Sequence, residues 1–300
     1  MSQNTSFAKR SQPLVDLGLE PYVLQLEVDG LCVLPPSVTG VSEETIDQMV
    51  AVLLDEAEER VGCQFSLAQG PAEAVCFDSQ ETPDTSIAED RMQLTQFLIQ
   101  QLGSLHRLFR DLAVNPVVVE LMRHMIGRRA LRFSSHNSFV KWQGAFGYGP
   151  SLGLHADQQT VPMPWGRQAL TANCNWCLTD YTLEGGALAY VPGSHRLNAK
   201  PAATDAGRAV PVEAEKGSAI VFHGATWHGA FPRKEPGLRI SIANYYRHVM
   251  VTSQEDLKNG FRQELADDCA DPALFKELAG FDDEFPYLSQ SQPTPRVVEA

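Results

Sequence analysis

Residues 171–195, TANCNWCLTDYTLEGGALAYVPGSH, decide how this chain is read. An apolar run of strand length, Thr171 to Tyr181, meets the Gly185-Gly186 break. A second short apolar run follows, closed by a Pro192-Gly193 turn. The same rhythm extends both ways. LRFSSHNSFVKW (131–142) and the glycine-rich QGAFGYGPSLGLHAD (143–157) precede it, and GSAIVFHG (217–224) and LRISIANYYRHV (238–249) follow. Short β-rich segments at this spacing, separated by Gly and Pro, indicate an all-β sandwich or barrel. Cys174 and Cys177 form a C-x-x-C inside the quoted stretch. On a strand, residues i and i+3 face opposite ways, which favours two unlinked buried thiols over a redox or zinc motif. The other cysteines (32, 63, 76, 269) show no disulfide-framework spacing.

Upstream of residue 130 the period changes. Around Asp29-Gly30, a turn signal, a short apolar segment leads into the strand Leu31 to Leu34. Ser42, followed by Glu43 and Glu44, starts a helix whose acidic first turn matches the dipole. Ile46, Met49, Val50, Leu53 and Ala57 recur at helical spacing. Residues 63–90 are polar, acidic and aperiodic, and read as a loop and candidate lid. A second helix is expected from Met92 to Phe109, with Leu94, Leu98, Leu102, Leu105 and Phe109 on one stripe. A third runs from Pro116 to Gly127. His106 and His124 lie in these helices as surface or packing residues. The expected organisation is a single domain: an N-terminal arm (1–20), a helical and strand support (21–129), a β core (130–250) and an acidic C-terminal segment with a disordered tail (251–300). The N-terminal helices are expected to pack on the outer face of the core.

The 300 residues carry a net charge of −13 and a hydrophobic fraction of 43%. That balance argues against nucleic acid or an anionic membrane as partner. The N-terminus has no apolar core of signal-peptide length and no apolar run is long enough to span a membrane, so a cytoplasmic location is expected.

Within the β half, His155-Ala156-Asp157 puts two potential metal ligands on one face of an extended backbone. His228 offers a third, and Arg239 shortly after it suggests a carboxylate-binding pocket beside the ion. Two histidines and one carboxylate on one face leave the opposite face of an octahedral ion open, which suits non-haem Fe(II). His223 and His195 compete for the third position.

Gly185-Gly186-Ala187-Leu188, followed by Val191-Pro192-Gly193-Ser194-His195, resembles the N-G-A-L-x-x-x-P-G-S-H signature of the phytanoyl-CoA dioxygenase family. Asp29-Gly30 resembles that family's opening segment. Gly217 to His223, leading to Trp227-His228-Gly229, resembles its last metal-ligand strand. The resemblance covers residues 20–250. It implies a mainly β fold with flanking helices and a double-stranded β-helix (jelly-roll, cupin-like) core, using Fe(II), 2-oxoglutarate and O2. It implies His155, Asp157 and His228 as metal ligands, His223 as a bystander and His195 as an organiser of its loop. Arg239 and Ser241 would bind the distal carboxylate of 2-oxoglutarate, with Asn137 and Trp176 as further contacts. Gly153 and Ala230 stand where many members carry Gln and a hydroxyl residue, which leaves the contacts to the C1 end open. Lys141, Trp142, Phe146 and Tyr148, with Pro162, Met163 and Trp165, are expected to line the mouth and meet a small organic substrate. The expected reaction is hydroxylation of a C–H bond with release of succinate and CO2. Desaturation, ring formation and halogenation also occur in the family. A non-redox metal enzyme on a cupin-like barrel and a non-catalytic binding module are the readings from other classes. No residue favours one substrate class, and oligomeric state is open.

Overall fold

The computed structural model describes residues 11–76, 94–144, 150–257, 261–281 and 283. The strands, in chain order, are β1 (Leu31–Leu34), β2 (Phe65–Ser66), β3 (Gly70–Pro71), β4 (Gln96–Ile99), β5 (Leu131–Lys141), β6 (Thr171–Cys177), β7 (Leu188–Tyr190), β8 (Val210–Val212), β9 (Ala219–His223), β10 (His228–Ala230) and β11 (Arg239–His248). A six-stranded sheet has the order β1-β9-β6-β11-β5-β4, and a three-stranded sheet has the order β10-β7-β8. Every pairing in both sheets is antiparallel.

Alternation along the strands separates two environments. Cys174 and Trp176 of β6, with Ile240, Ile242 and Tyr246 of β11, join the helices Glu43–Val61 and Pro116–Ile126 in one core cluster. Burying a large apolar side chain contributes roughly 1.5–3 kcal/mol, so stabilising burial is concentrated on this face. The opposite face of the same strands carries Asn137, Phe139, Asn173, Asn175, Ser241 and Tyr245, and looks into a cavity. Cys177 falls in a separate cluster from Cys174, and both thiols are free.

The helix after Ser42 forms as its sequence requires. Ser42 Oγ accepts from Thr45 N at 3.2 Å, and Ile46, Met49, Val50, Leu53 and Ala57 are buried. Asn115 Oδ1 caps the Pro116–Ile126 helix through the N–H groups of Val117 and Val118. The segment before Asp29-Gly30 is a helix, Glu20–Asp29, and Gly30 (φ 79°) is its left-handed cap. The turn signal was therefore a helix end.

The expected helix from Met92 to Phe109 does not form. Gln96–Ile99 is an edge strand paired with β5, and the short helices Leu102–Leu105 and Arg107–Ala113 follow Gln101, which has φ 59°. Pairing with a long neighbouring strand outweighs the local leucine spacing, and Leu98 faces the cavity. His106 caps the second of these helices by accepting from Leu108 N, and His124 contacts Glu27. In the expected loop, Phe65–Ser66 pairs with Gly70–Pro71. Residues 77–90 of that expected loop, Phe146, Tyr148 and the C-terminal tail lie outside the described residues. No helix among the described residues is long and apolar enough to cross a membrane.

Gly30 also fixes how the Pro192–His195 loop docks. Gly193 N donates to Asp29 O at 2.9 Å, and Thr226 Oγ1 donates to Gly30 O at 2.8 Å. A Cβ at Gly30 would collide with His195 and Thr226. Left-handed backbone alone costs a non-glycine residue about 1–2 kcal/mol. Gly30→Ala should therefore lower stability by more than about 2 kcal/mol, seen as a drop in urea midpoint at unchanged slope.

Candidate active site

His228 opens β10, and the chain at His155 is stitched to it by two backbone bonds: His155 N to His228 O and His228 N to His155 O, both 2.9 Å. Ser194 of the Pro-Gly-Ser-His turn holds the same strand, accepting from Trp227 N at 2.8 Å. Gly229 permits the approach, because a Cβ there would strike the Leu152 carbonyl oxygen. Ala156 is extended and buried against Trp165, Val191, Ala225 and Trp227. Asp157 begins the 3-10 turn Asp157–Thr160.

One ligand atom from each of His155, Asp157 and His228 lies within 4.8 Å of the other two. Asp157 Oδ1 is 3.4 Å from His155 Nε2 and 3.5 Å from His228 Nε2. Each Nδ1 bonds a backbone carbonyl, His155 to Gly153 O at 2.9 Å and His228 to Thr226 O at 3.0 Å. A ring whose Nδ1–H donates in this way presents a lone pair at Nε2. Asn173 Nδ2 donates to Asp157 Oδ2 at 3.1 Å and orients the carboxylate. Burial raises the Asp157 pKa, but the charge of His228 and the hydrogen bond from His155 outweigh it and hold the group below its usual range. Burial lowers the pKa of His228. Burial lowers the pKa of His155 too, but the hydrogen bond and charge of Asp157 outweigh it and raise the group. A carboxylate beside two imidazoles is a donor set for a divalent ion of intermediate softness.

The cavity beside these groups encloses about 570 Å³. Arg239 and Ser241, 5% and 1% exposed, are among its lining residues. Arg239 Nη1 donates to Gly186 O at 2.6 Å, and its guanidinium lies 4.8 Å from the centre of the Tyr181 ring. Its buried Nε has no partner among the described residues. A buried guanidinium with donors to spare is suited to an incoming carboxylate.

The structure brings His155, Asp157, His228, Asn137, Arg239 and Ser241 to this one cavity. It does not bring Trp176, Trp142, Trp165 or Lys141 to its lining. Trp176 pairs with Ile242 across the ladder and shares its face, in the helix-packed core. Trp142 packs against Phe65 and Phe97. Trp165 joins the cluster behind Ala156, its Nε1 donating to Val161 O at 2.9 Å. Lys141 is fully buried in register with Arg239, its Nζ 2.5 Å from Phe231 O. Burial, then the charges of Arg239 and Arg233, push its pKa down to about 6. His223 faces a different cavity, with His195 and Arg167. Sequence reasoning missed Asn173, Asn175, Tyr181 and Tyr245. Two asparagines alternating with Cys174 and Trp176 on an otherwise apolar strand were the available signal, since polar residues there must face something other than the core.

A family model described as Phytanoyl-CoA dioxygenase (PhyH) matches residues 27–241. Among curated proteins, Dioxygenase af480 of Aspergillus fumigatus is 35% identical over 130 residues, which is 42% of this chain and 40% of that protein. Dioxygenase aneA of Aspergillus aculeatus is 28% identical over 171 residues, 54% of this chain and 56% of that protein. The chain thus spans about half the length of the curated relatives it matches. Among solved structures, HygX from Streptomyces hygroscopicus with nickel and 2-oxoglutarate bound aligns with a TM-score of 0.56 at 16% identity, covering 79% of this chain and 89% of that one. The 2-oxoglutarate-dependent carbocyclase SnoK from nogalamycin biosynthesis aligns at 0.53 with 20% identity, covering 76% and 83%. At these identities the structural likeness is one of fold.

Proposed function

We infer the reaction from the premise that this chain belongs to the phytanoyl-CoA dioxygenase family: it is an Fe(II)- and 2-oxoglutarate-dependent dioxygenase that hydroxylates a C–H bond of a small organic molecule. One observation carries the reading. The convergent donors of His155, Asp157 and His228 share a cavity with a buried guanidinium that has a spare donor. In this reading the two sheets are the major and minor walls of a double-stranded β-helix, and residues 1–300 form one oxygenase unit.

Bound ferrous iron with 2-oxoglutarate and O2 supplies an oxidant able to remove hydrogen from carbon, with succinate and CO2 as by-products. The chain's own residues do the rest. His155 and His228 are held at Nδ1 by backbone carbonyls, which would leave both Nε2 atoms to hold the ion. Asp157 contributes the anionic ligand, and Asn173 fixes its second oxygen. Arg239 and Ser241 take the distal carboxylate of 2-oxoglutarate, and Tyr181 covers the guanidinium. Asn137 lines the same space. A non-redox metal enzyme would have no use for the buried cation at Arg239. The test is succinate formation and O2 uptake that require both Fe(II) and 2-oxoglutarate and rise with a substrate. Iron-independent turnover would contradict it.

The carboxylate ligand also bears on reaction type. With Asp157 as well as His155 and His228 holding the ion, the protein would keep the carboxylate ligand whose absence would be needed to admit a halide. Turnover in excess chloride or bromide should therefore give no halogenated product by mass spectrometry. A halogenated product would remove Asp157 from the ligand set.

A further inference from the structure

Besides Asp157, the cavity carries a second carboxyl, at a level away from Arg239, with no part in the proposed function. Glu255 is strapped to β5 through Ser134. Ser253 Oγ donates to Ser134 O at 3.0 Å, Gln254 N to Ser134 Oγ at 3.0 Å, and Glu255 N to Ser134 O at 2.9 Å. Gln254 Oε1 accepts from Ser135 Oγ at 2.6 Å. The Glu255 side chain is held just as firmly. Its Oε1 accepts the backbone N–H groups of Gln101 and His136, each at 3.1 Å. The Asn137 amide, in the orientation that satisfies both its ends, donates to the same oxygen at 3.1 Å. Among the described residues, Oε2 accepts from none.

Glu255 lines both the main cavity and a neighbouring recess of about 60 Å³. Its neighbours on the main cavity wall are neutral: Gln96, Gln100, Ser135, Asn137 and Gln254. The Glu255 carboxyl is held at the level of His136, five residues along β5 from Lys141, which pairs with Arg239 on the β5/β11 ladder. At about 3.3 Å per residue those levels are roughly 16 Å apart, so Arg239 is no counter-ion for Glu255. The same ladder ties the Glu255 end to the metal-ligand cluster, because Tyr245 OH donates to Asp157 O at 3.4 Å. A molecule anchored at Glu255 would extend from there toward His155, Asp157 and His228.

We propose that Glu255 anchors a protonated amine of the prime substrate, so that the enzyme selects ammonium-bearing molecules. A charge-assisted hydrogen bond is roughly twice as strong as a neutral one, and an ammonium brings donors for an acceptor that is already oriented. Burial raises the Glu255 pKa against the two backbone N–H bonds, and a cation beside it relieves that cost. The proposal rests on the dioxygenase reading.

The test uses protein loaded with Fe(II) and 2-oxoglutarate under argon, with the visible charge-transfer band confirming the load in each variant. The probes are glucosamine, tyramine and putrescine, each beside its N-acetylated form, with binding measured by calorimetry. Glu255→Gln keeps an oxygen for the two backbone N–H groups and puts an NH2 in place of Oε2. At least one amine should bind the unsubstituted protein tenfold or more tighter than its acetylated form, and Glu255→Gln should remove that difference. If no amine binds, if acetylation changes nothing, or if Glu255→Gln binds the amine equally well, the proposal is wrong and the dioxygenase reading stands. If the band fails to form in the unsubstituted protein, both are wrong.

Discussion

His228→Ala should abolish iron-dependent turnover while the protein remains folded. Removing even an outer partner of a metal ligand typically costs 10–100-fold in metal affinity or activity, so losing a ligand should cost at least about a hundredfold. The side chain is buried, but among the described residues its ring contacts beyond the site are the neighbouring Thr226 carbonyl and the Phe222 ring. The backbone pairing of His155 with His228 does not depend on the imidazole. His223→Ala is the matched comparison. That ring is also buried, accepts from Ala225 N at 3.0 Å, and faces the other cavity. Iron content per chain and succinate formation should fall in His228→Ala and persist in His223→Ala. The reverse pattern would move the third ligand to His223.

Arg239→Ala should weaken 2-oxoglutarate binding with a smaller effect on turnover at saturation. Leaving one partner of a buried, charge-assisted pair unmatched costs about 2–5 kcal/mol, which is a factor from about thirty to several thousand in affinity. The Tyr181 ring and the Gly186 carbonyl hold the guanidinium in place. Arg239→Lys should recover only part of the affinity, since a point charge lacks the planar fork. Lys141 lies beside this position in the strand register, so a lysine at 239 would also face a second amine. An unchanged KM for 2-oxoglutarate in Arg239→Ala would place the cosubstrate carboxylate elsewhere.

How much of this could be read from the sequence depended on whether a residue's environment was local. Ser42, Asn115 and Pro116 act on their own helix ends, and those helices formed where the residues required. The β half was legible because Gly and Pro punctuate it. His155, Asp157, His228 and Arg239 converge as their order and company suggested, since an H-x-D needs only a turn and one strand to meet it. What failed was set by tertiary pairing. Gln96–Ile99 carries a helical leucine pattern, yet β5 captures it as an edge strand. The resemblance places Trp176 at the cosubstrate, but strand parity puts it in the core shared with the helices. The same parity puts Asn173, three residues earlier, against Asp157. Trp142 and Trp165 lie close in sequence to residues that surround the site, but the strand or loop carrying each turns the ring into a core. Glu255 had no signal at all. It reaches the cavity only because the chain after β11 folds back onto Ser134.

One cavity should hold iron and 2-oxoglutarate together, with His155, Asp157 and His228 on the metal and Arg239 on the dicarboxylate. Anaerobic titration of 2-oxoglutarate into the Fe(II)-loaded protein tests this most directly, followed by visible absorption. A weak, broad charge-transfer band should grow in and saturate at one equivalent per chain. It should be absent in His228→Ala, and in Arg239→Ala it should require far more 2-oxoglutarate. No band in the unsubstituted protein, or a band equally strong in His228→Ala, would contradict the account.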